Sequence, residues 1–170
     1  MQKITKPQKA LRHHLFFALF AMLMAGLAWA GPKEDIKAAY ERKDYKLVVK
    51  MVNPLAIEGE AWAQRGLADA YILGQGVVQD YAEAAKWYRF AAQQGDESAQ
   101  LNLGNLYSKG QGVVQDYVKA HSWYQLSTVN GFTGAVKNRD IVAKQMTPQQ
   151  IGDAQKLALD CQARQFKGCD

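Results

Sequence analysis

One stretch of this chain occurs twice. Tyr71-Ile72-Leu73-Gly74-Gln75-Gly76-Val77-Val78-Gln79-Asp80-Tyr81 returns 36 residues later as Tyr107-Ser108-Lys109-Gly110-Gln111-Gly112-Val113-Val114-Gln115-Asp116-Tyr117. The segment from Gln75 to Tyr81 recurs unchanged as Gln111 to Tyr117. Self-similarity at a fixed period in the range of about 20 to 50 residues is the signature of a stacked repeat protein, which restricts the fold before any site is sought. Repeat proteins mostly bind other molecules, so the class of function is constrained together with the fold.

The register extends on both sides. Asp44-Tyr45 aligns with Asp80-Tyr81 and Asp116-Tyr117, Gly59 with Gly95 and Gly131, and Ala63 with Ala99 and Ala135. The first copy lacks the glycine-rich turn and is incomplete. The expected division is 31–62 for this partial copy, 63–98 and 99–134 for two full copies, and 135–170 for a C-terminal capping region.

Each full copy reads as two antiparallel helices. Helix A is expected over Trp62–Leu73 and Ser98–Lys109, and helix B over Asp80–Gln94 and Asp116–Asn130. Asp80 and Asp116 are suited to cap helix B, since a carboxylate accepts from the free N–H groups of the first turn. Glu83 stands where it would complete a capping box. Gly59, Gly95 and Gly131 fall where a helix end wants a left-handed residue. Ala84, Trp87, Tyr88 and Ala91, echoed by Ala120, Trp123 and Tyr124, form a core stripe at helical spacing. Val77-Val78 and Val113-Val114 are expected to tuck beneath the helix pair. A first helix is expected over Lys33–Arg42. Pro54 should kink the first helix B or reset its start. Gly134–Gln145 suits one more helix A, and Thr147-Pro148-Gln149-Gln150 opens a final helix with an N-cap, a proline at N1 and a Gln at N3. The expected fold is therefore all-α, an α/α superhelical solenoid of antiparallel helix pairs closed by a C-terminal capping helix.

The first thirty residues lie outside this scheme. Lys3, Lys6, Lys9 and Arg12 precede the apolar run Leu15–Ala28, and Ala28-Trp29-Ala30 offers small residues at a cleavage site. That is the pattern of a secretory signal peptide cut after Ala30, and the run is too short to span a bilayer. The leader carries four of the 21 Lys and Arg and none of the 16 acidic residues, so the net charge falls from +5 to +1 on its removal. A near-neutral domain does not have the electrostatic footprint of a nucleic-acid binder. The expected location is periplasmic or secreted, with no stable membrane anchor after cleavage. Cys161 and Cys169 then sit in an oxidising compartment and most simply form one disulfide. The chain-entropy model credits a loop this short with roughly 2.5 kcal/mol. A metal site is the alternative, but further ligands are lacking nearby.

The repeat tyrosine (Tyr71, Tyr107), the turn Gly-x-Gly-Val-x-x-Asp-Tyr (Gly74, Gly76, Asp80, Tyr81 and Gly110, Gly112, Asp116, Tyr117), the x-x-Ala-x-x-Trp-Tyr segment (Trp87, Trp123) and the closing glycine closely resemble the Sel-one-like repeat (SLR) family, a relative of the tetratricopeptide repeat. The resemblance covers roughly Lys43 to Ala135. It implies a scaffold or adaptor for protein partners; that no enzymatic activity or cofactor is expected rests instead on the lack of a reactive constellation among the residues. Exported bacterial members are associated with the cell envelope, and some cysteine-rich relatives with weak β-lactam or muropeptide binding. The alternative function is therefore a peptidoglycan- or β-lactam-interacting envelope factor with weak hydrolase activity. The regularly spaced cysteine pairs of those relatives are missing between Gly31 and Asp160.

Chemistry-bearing residues are few. After the leader, His121 is the one remaining histidine, expected as a partly exposed helical residue beside the core stripe. The loop Gly74-Gln75-Gly76 lacks the Lys-Ser/Thr pair of a phosphate-binding loop. Binding residues are better sought where the copies differ. Arg65/Leu101, Asp69/Asn105 and Ile72/Ser108 differ between the two A helices, and their i, i+4, i+7 spacing places them on one face. That face, Arg65, Asp69, Ile72, Leu101, Asn105 and Ser108, is the candidate groove for an unidentified protein partner.

Overall fold

The structure is a computed structural model that describes residues 31–129 and 131–169. The signal-peptide reading and the expected end of the second helix B at Asn130 fall outside the described residues. Among the described residues every regular element is helical: α1 (Pro32–Glu41), α2 (Tyr45–Glu58), α3 (Ala61–Leu73), α4 (Tyr81–Ala92), α5 (Glu97–Lys109), α6 (Tyr117–Thr128), a 3₁₀ turn (Thr133–Ala135), α7 (Val136–Ala143) and α8 (Pro148–Ala163). The compact unit Ile36–Asp170 contains the repeats.

Helix boundaries follow the capping chemistry. Asp44 accepts from the Leu47 N–H, Asp80 from Ala82 and Glu83, Asp96 from Ala99, and Asp116 from Lys119. The carboxylates thereby satisfy donors that the first turn leaves without partners. Glu83 does not return the bond as a capping box would; its carboxylate pairs with Lys86 at 3.5 Å instead. Thr147 and Gln150 do form a full capping box at the start of α8.

Helices α3 and α4, and likewise α5 and α6, pack as antiparallel pairs across the glycine turn, and α4 packs on α5 to join the copies. The turn geometry repeats bond for bond. Asp80 N–H donates to Tyr71 C=O at 3.1 Å, and Asp116 N–H to Tyr107 C=O at 3.0 Å. The Gln79 amide donates to Ile72 C=O and the Gln115 amide to Ser108 C=O. The second glycine does more than bend the chain. A Cβ on Gly76 (φ +77°) would run into the Tyr45 carbonyl, and one on Gly112 (φ +69°) into the Tyr81 carbonyl. The turn of each copy therefore lies flat on the first residue of the preceding helix B, which only glycine permits. This joint sets the register between copies.

A main core runs from Ala68 through Tyr88, Leu103, Tyr107, Trp123, Tyr124 and Leu126 to Cys161, with a smaller one around Val52, Ala56, Ala63 and Leu67. Several expectations need correction. Val113 packs on the core, but Val78 and Val114 are 88 % and 87 % exposed, because two consecutive turn residues cannot both face inward. Pro54 does not reset α2, which starts on its Asp44 cap and runs through the exposed proline to Glu58. The third helix A opens as a 3₁₀ turn and yields only the short α7. Trp87 is half-buried, whereas Trp123 is fully enclosed. His121 is buried rather than partly exposed, since α7 and α8 both pack against α6, with Arg139 and Asp140 of α7 near its ring.

Candidate functional site

The six residues of the candidate groove, on α3 and α5, are all half-buried. They are not free-standing surface side chains. Tyr88, on α4, donates its hydroxyl to Asp69 at 2.5 Å and accepts from the Asn102 amide of α5 at 3.2 Å. One repeat later, Tyr124 donates to Asn105 at 2.9 Å, and the Asn138 amide of α7 donates to the same oxygen at 3.0 Å. Each tyrosine thus ties a helix A to its own helix B, and an asparagine ties in the helix A of the following copy. Tyr88/Tyr124 and Asn102/Asn138 are both retained at the repeat spacing, and Asp69/Asn105 keeps an acceptor oxygen of similar shape. Sequence reading assigned the two tyrosines to packing and overlooked the asparagines. The signal was there: Asn138 persists in a copy where most of the signature has gone.

The two copies differ in charge along this ladder. Arg65 lies 3.7 Å from Asp69 and 3.0 Å from Asp96, the residue that caps α5. Burial pushes the Asp69 carboxyl above its ordinary range, opposed by the Tyr88 hydroxyl and then by the Arg65 guanidinium. Burial raises Tyr88 as well, reinforced by the Asp69 charge beside it. In the second copy Leu101 and Asn105 replace Arg65 and Asp69, and the network is neutral. Burial still raises Tyr124, opposed by its hydrogen bond with Ser108. Ile72 and Leu101 pack against the main core, so their side chains serve the fold as well as the surface.

Beside the charged end of the ladder lies an open cleft of about 480 Å³, walled by Gly59–Trp62 on one side and Gln94–Asp96 on the other. The amide of Gln94, just past the end of α4, donates to Gln64 on α3 of the same copy at 2.7 Å. Among the described residues, no three His, Cys, Asp or Glu side chains converge as metal ligands would. His121, the one histidine described, lies inside α6; burial lowers its basicity, and the Arg139 charge lowers it further. No described helix is long and apolar enough to cross a membrane. Cys161 and Cys169 form a disulfide with Cα atoms 5.1 Å apart, a bond that fits an extracellular or periplasmic location.

The Sel1 repeat model matches residues 63–96 and again 97–128. Among solved structures, the chain is similar to a protective antigen present in uropathogenic Escherichia coli strains that displays an SLR fold. The two are 31 % identical with a TM-score of 0.72, over 81 % of this chain and 32 % of that one. It is also similar to a Sel1 repeat protein from Oxalobacter formigenes, 28 % identical with a TM-score of 0.59, over 64 % of this chain and 43 % of that one. The chain thus spans about a third of the first protein and under half of the second. No curated protein matches it. Sel1 repeat folds generally mediate protein–protein interaction and are typically non-catalytic. Two repeats in one register, with helix-pair packing consistent with the SLR fold, place the chain in the Sel1-like repeat family.

Proposed function

We propose that the chain is an exported scaffold of the bacterial cell envelope whose A-helix face engages a protein partner. The observation that carries this reading is the ladder. Tyr88, Tyr124, Asn102 and Asn138 hold the half-buried residues between them in fixed positions, while the residues held vary from copy to copy. Asp69 gives way to Asn105 and Arg65 to Leu101, so the framework tolerates a changing surface. A preorganised face of mixed polarity loses little side-chain freedom on binding, which favours affinity. The Cys161–Cys169 bond is consistent with an oxidising location, where disulfides persist.

The test is capture from an envelope fraction on immobilised protein. Parent protein should retain a partner that the combined Arg65→Ala, Asp69→Ala and Asn105→Ala variant loses. A Gln155→Ala control, altered at an exposed position on α8, should retain it. Each protein is first checked for cooperative thermal unfolding. Undiminished capture by the folded triple variant would remove the A-helix face from the interaction. Turnover of a muropeptide or β-lactam by the parent, lost on a single side-chain change, would contradict a non-catalytic scaffold.

A further inference from the structure

The C-terminal loop combines two features that the repeat architecture does not require. Cys161 and Cys169 close it covalently. Within it, Gln165 and Phe166 both take left-handed backbone angles, φ 53° and 64°, which residues other than glycine avoid. The Phe166 N–H is fixed to the Cys161 carbonyl at 2.9 Å. This geometry turns the Phe166 ring back onto the body of the molecule, where it packs against the main core. It also lies over Gly95, where an added Cβ would meet the ring at 3.5 Å. Gly95 forms the turn between α4 and α5. The next residue, Asp96, caps α5 and holds Arg65 at 3.0 Å. Gln94, Gly95 and Asp96 make up one wall of the cleft.

We propose that the Cys161–Cys169 loop is a redox-sensitive strap on that wall. Closed, it presses Phe166 against Gly95 and holds the Gln94–Asp96 turn and its Arg65 contact in place. Opened, it frees the ring and loosens the turn. Opening is thiol–disulfide exchange with a dithiol: one reductant thiolate attacks a sulfur, the S–S bond breaks, and the reductant's second thiol resolves the mixed disulfide. The two cysteines gain two electrons and two protons, and the reductant leaves as its own disulfide. Both cysteines are buried, so a reductant reaches the bond only when the loop lifts. The coupling is therefore reciprocal: if the disulfide holds the ring on Gly95, the docked ring protects the disulfide.

Phe166→Ala, with the disulfide intact, and the double variant Cys161→Ser with Cys169→Ser test this in the whole protein. Amide hydrogen exchange at Gly95 and Asp96 should rise about tenfold in both, while amides within α3 stay as in the parent. Dithiothreitol should reduce the Phe166→Ala protein about tenfold faster than the parent. Unchanged exchange at the turn in Phe166→Ala, or reduction at the parental rate, would overturn the strap. Phe166→Ala alone decides through these two readouts if the double variant fails to fold.

Discussion

Helices α4 and α6 carry the same stripe of small and aromatic residues, yet they occupy different environments. α4 packs between α3 and α5, and its outer side stays open: Trp87 is half-buried, edge-on to Phe90 at 5.7 Å, and Phe90 itself is 41 % exposed. α6 packs against α5, α7 and α8 together, so Trp123 is fully enclosed and Leu126, at the position of Phe90, is 2 % exposed. Burial is thus set by the element that stacks next rather than by the repeat signature. The helix that closes α6 is α8, which lies outside the repeat.

The largest effect should come from the joint that both copies share. Gly112→Ala must accept a strained φ and displace the Tyr81 carbonyl, and should destabilise by more than about 3 kcal/mol. Gly152, in the middle of α8, has open space at its Cβ position. Gly152→Ala should therefore stabilise by up to about 1 kcal/mol. Denaturant unfolding of the two variants should give opposite signs.

The enclosed and half-open tryptophans come next. Trp123→Ala should cost about 3–5 kcal/mol, and Trp87→Ala clearly less, since part of its surface already meets water. Equal losses in chemical denaturation would mean that α8 does not enclose α6 as described.

A smaller contrast separates the charged and neutral rungs of the ladder. Tyr88→Phe takes a donor from a carboxylate and should cost about 1.5–3 kcal/mol, against about 0.5–1.5 for Tyr124→Phe, whose acceptors are neutral. Making Asp69→Asn first should shrink the Tyr88 effect towards that of Tyr124.

The smallest effect is pH-dependent. His121 has its pKa lowered below the ordinary 6.5 by burial and the Arg139 charge, with Asp140 opposing. The folded state therefore favours the neutral ring. Its contribution is complete above pH 6.5 and is lost as pH falls through the lower folded value. His121→Ala, which restores the residue found at Ala85, should flatten the decline of melting temperature below pH 6.5.

What was legible in the sequence is what the period repeats locally. The Asp80 and Asp116 caps, the closing glycines and the paired helices depend on residues a few positions apart, and they form where the spacing puts them. What was hidden depends on contacts between copies or from outside them. The second glycine of each turn meets a carbonyl of the preceding copy. His121 looked peripheral because the helices that pack on α6 from beyond the repeat, α7 and α8, contribute nothing to its own helical pattern. Val78 was placed inward by composition, although a tight turn has room for only one of its two valines. The ladder was the least visible part of the candidate site, since a tyrosine's packing role conceals what its hydroxyl holds.

The separation of a fixed framework from a variable A-helix face is tested most directly by giving the first copy the face of the second. In the protein carrying Arg65→Leu and Asp69→Asn, the amide oxygen introduced on α3 can accept from Tyr88 just as Asn105 accepts from Tyr124. Stability should stay within about 1 kcal/mol of the parent, while the envelope partner held by the parent should be lost. Unfolding of this variant, or capture at the parental level by a folded one, would contradict that separation.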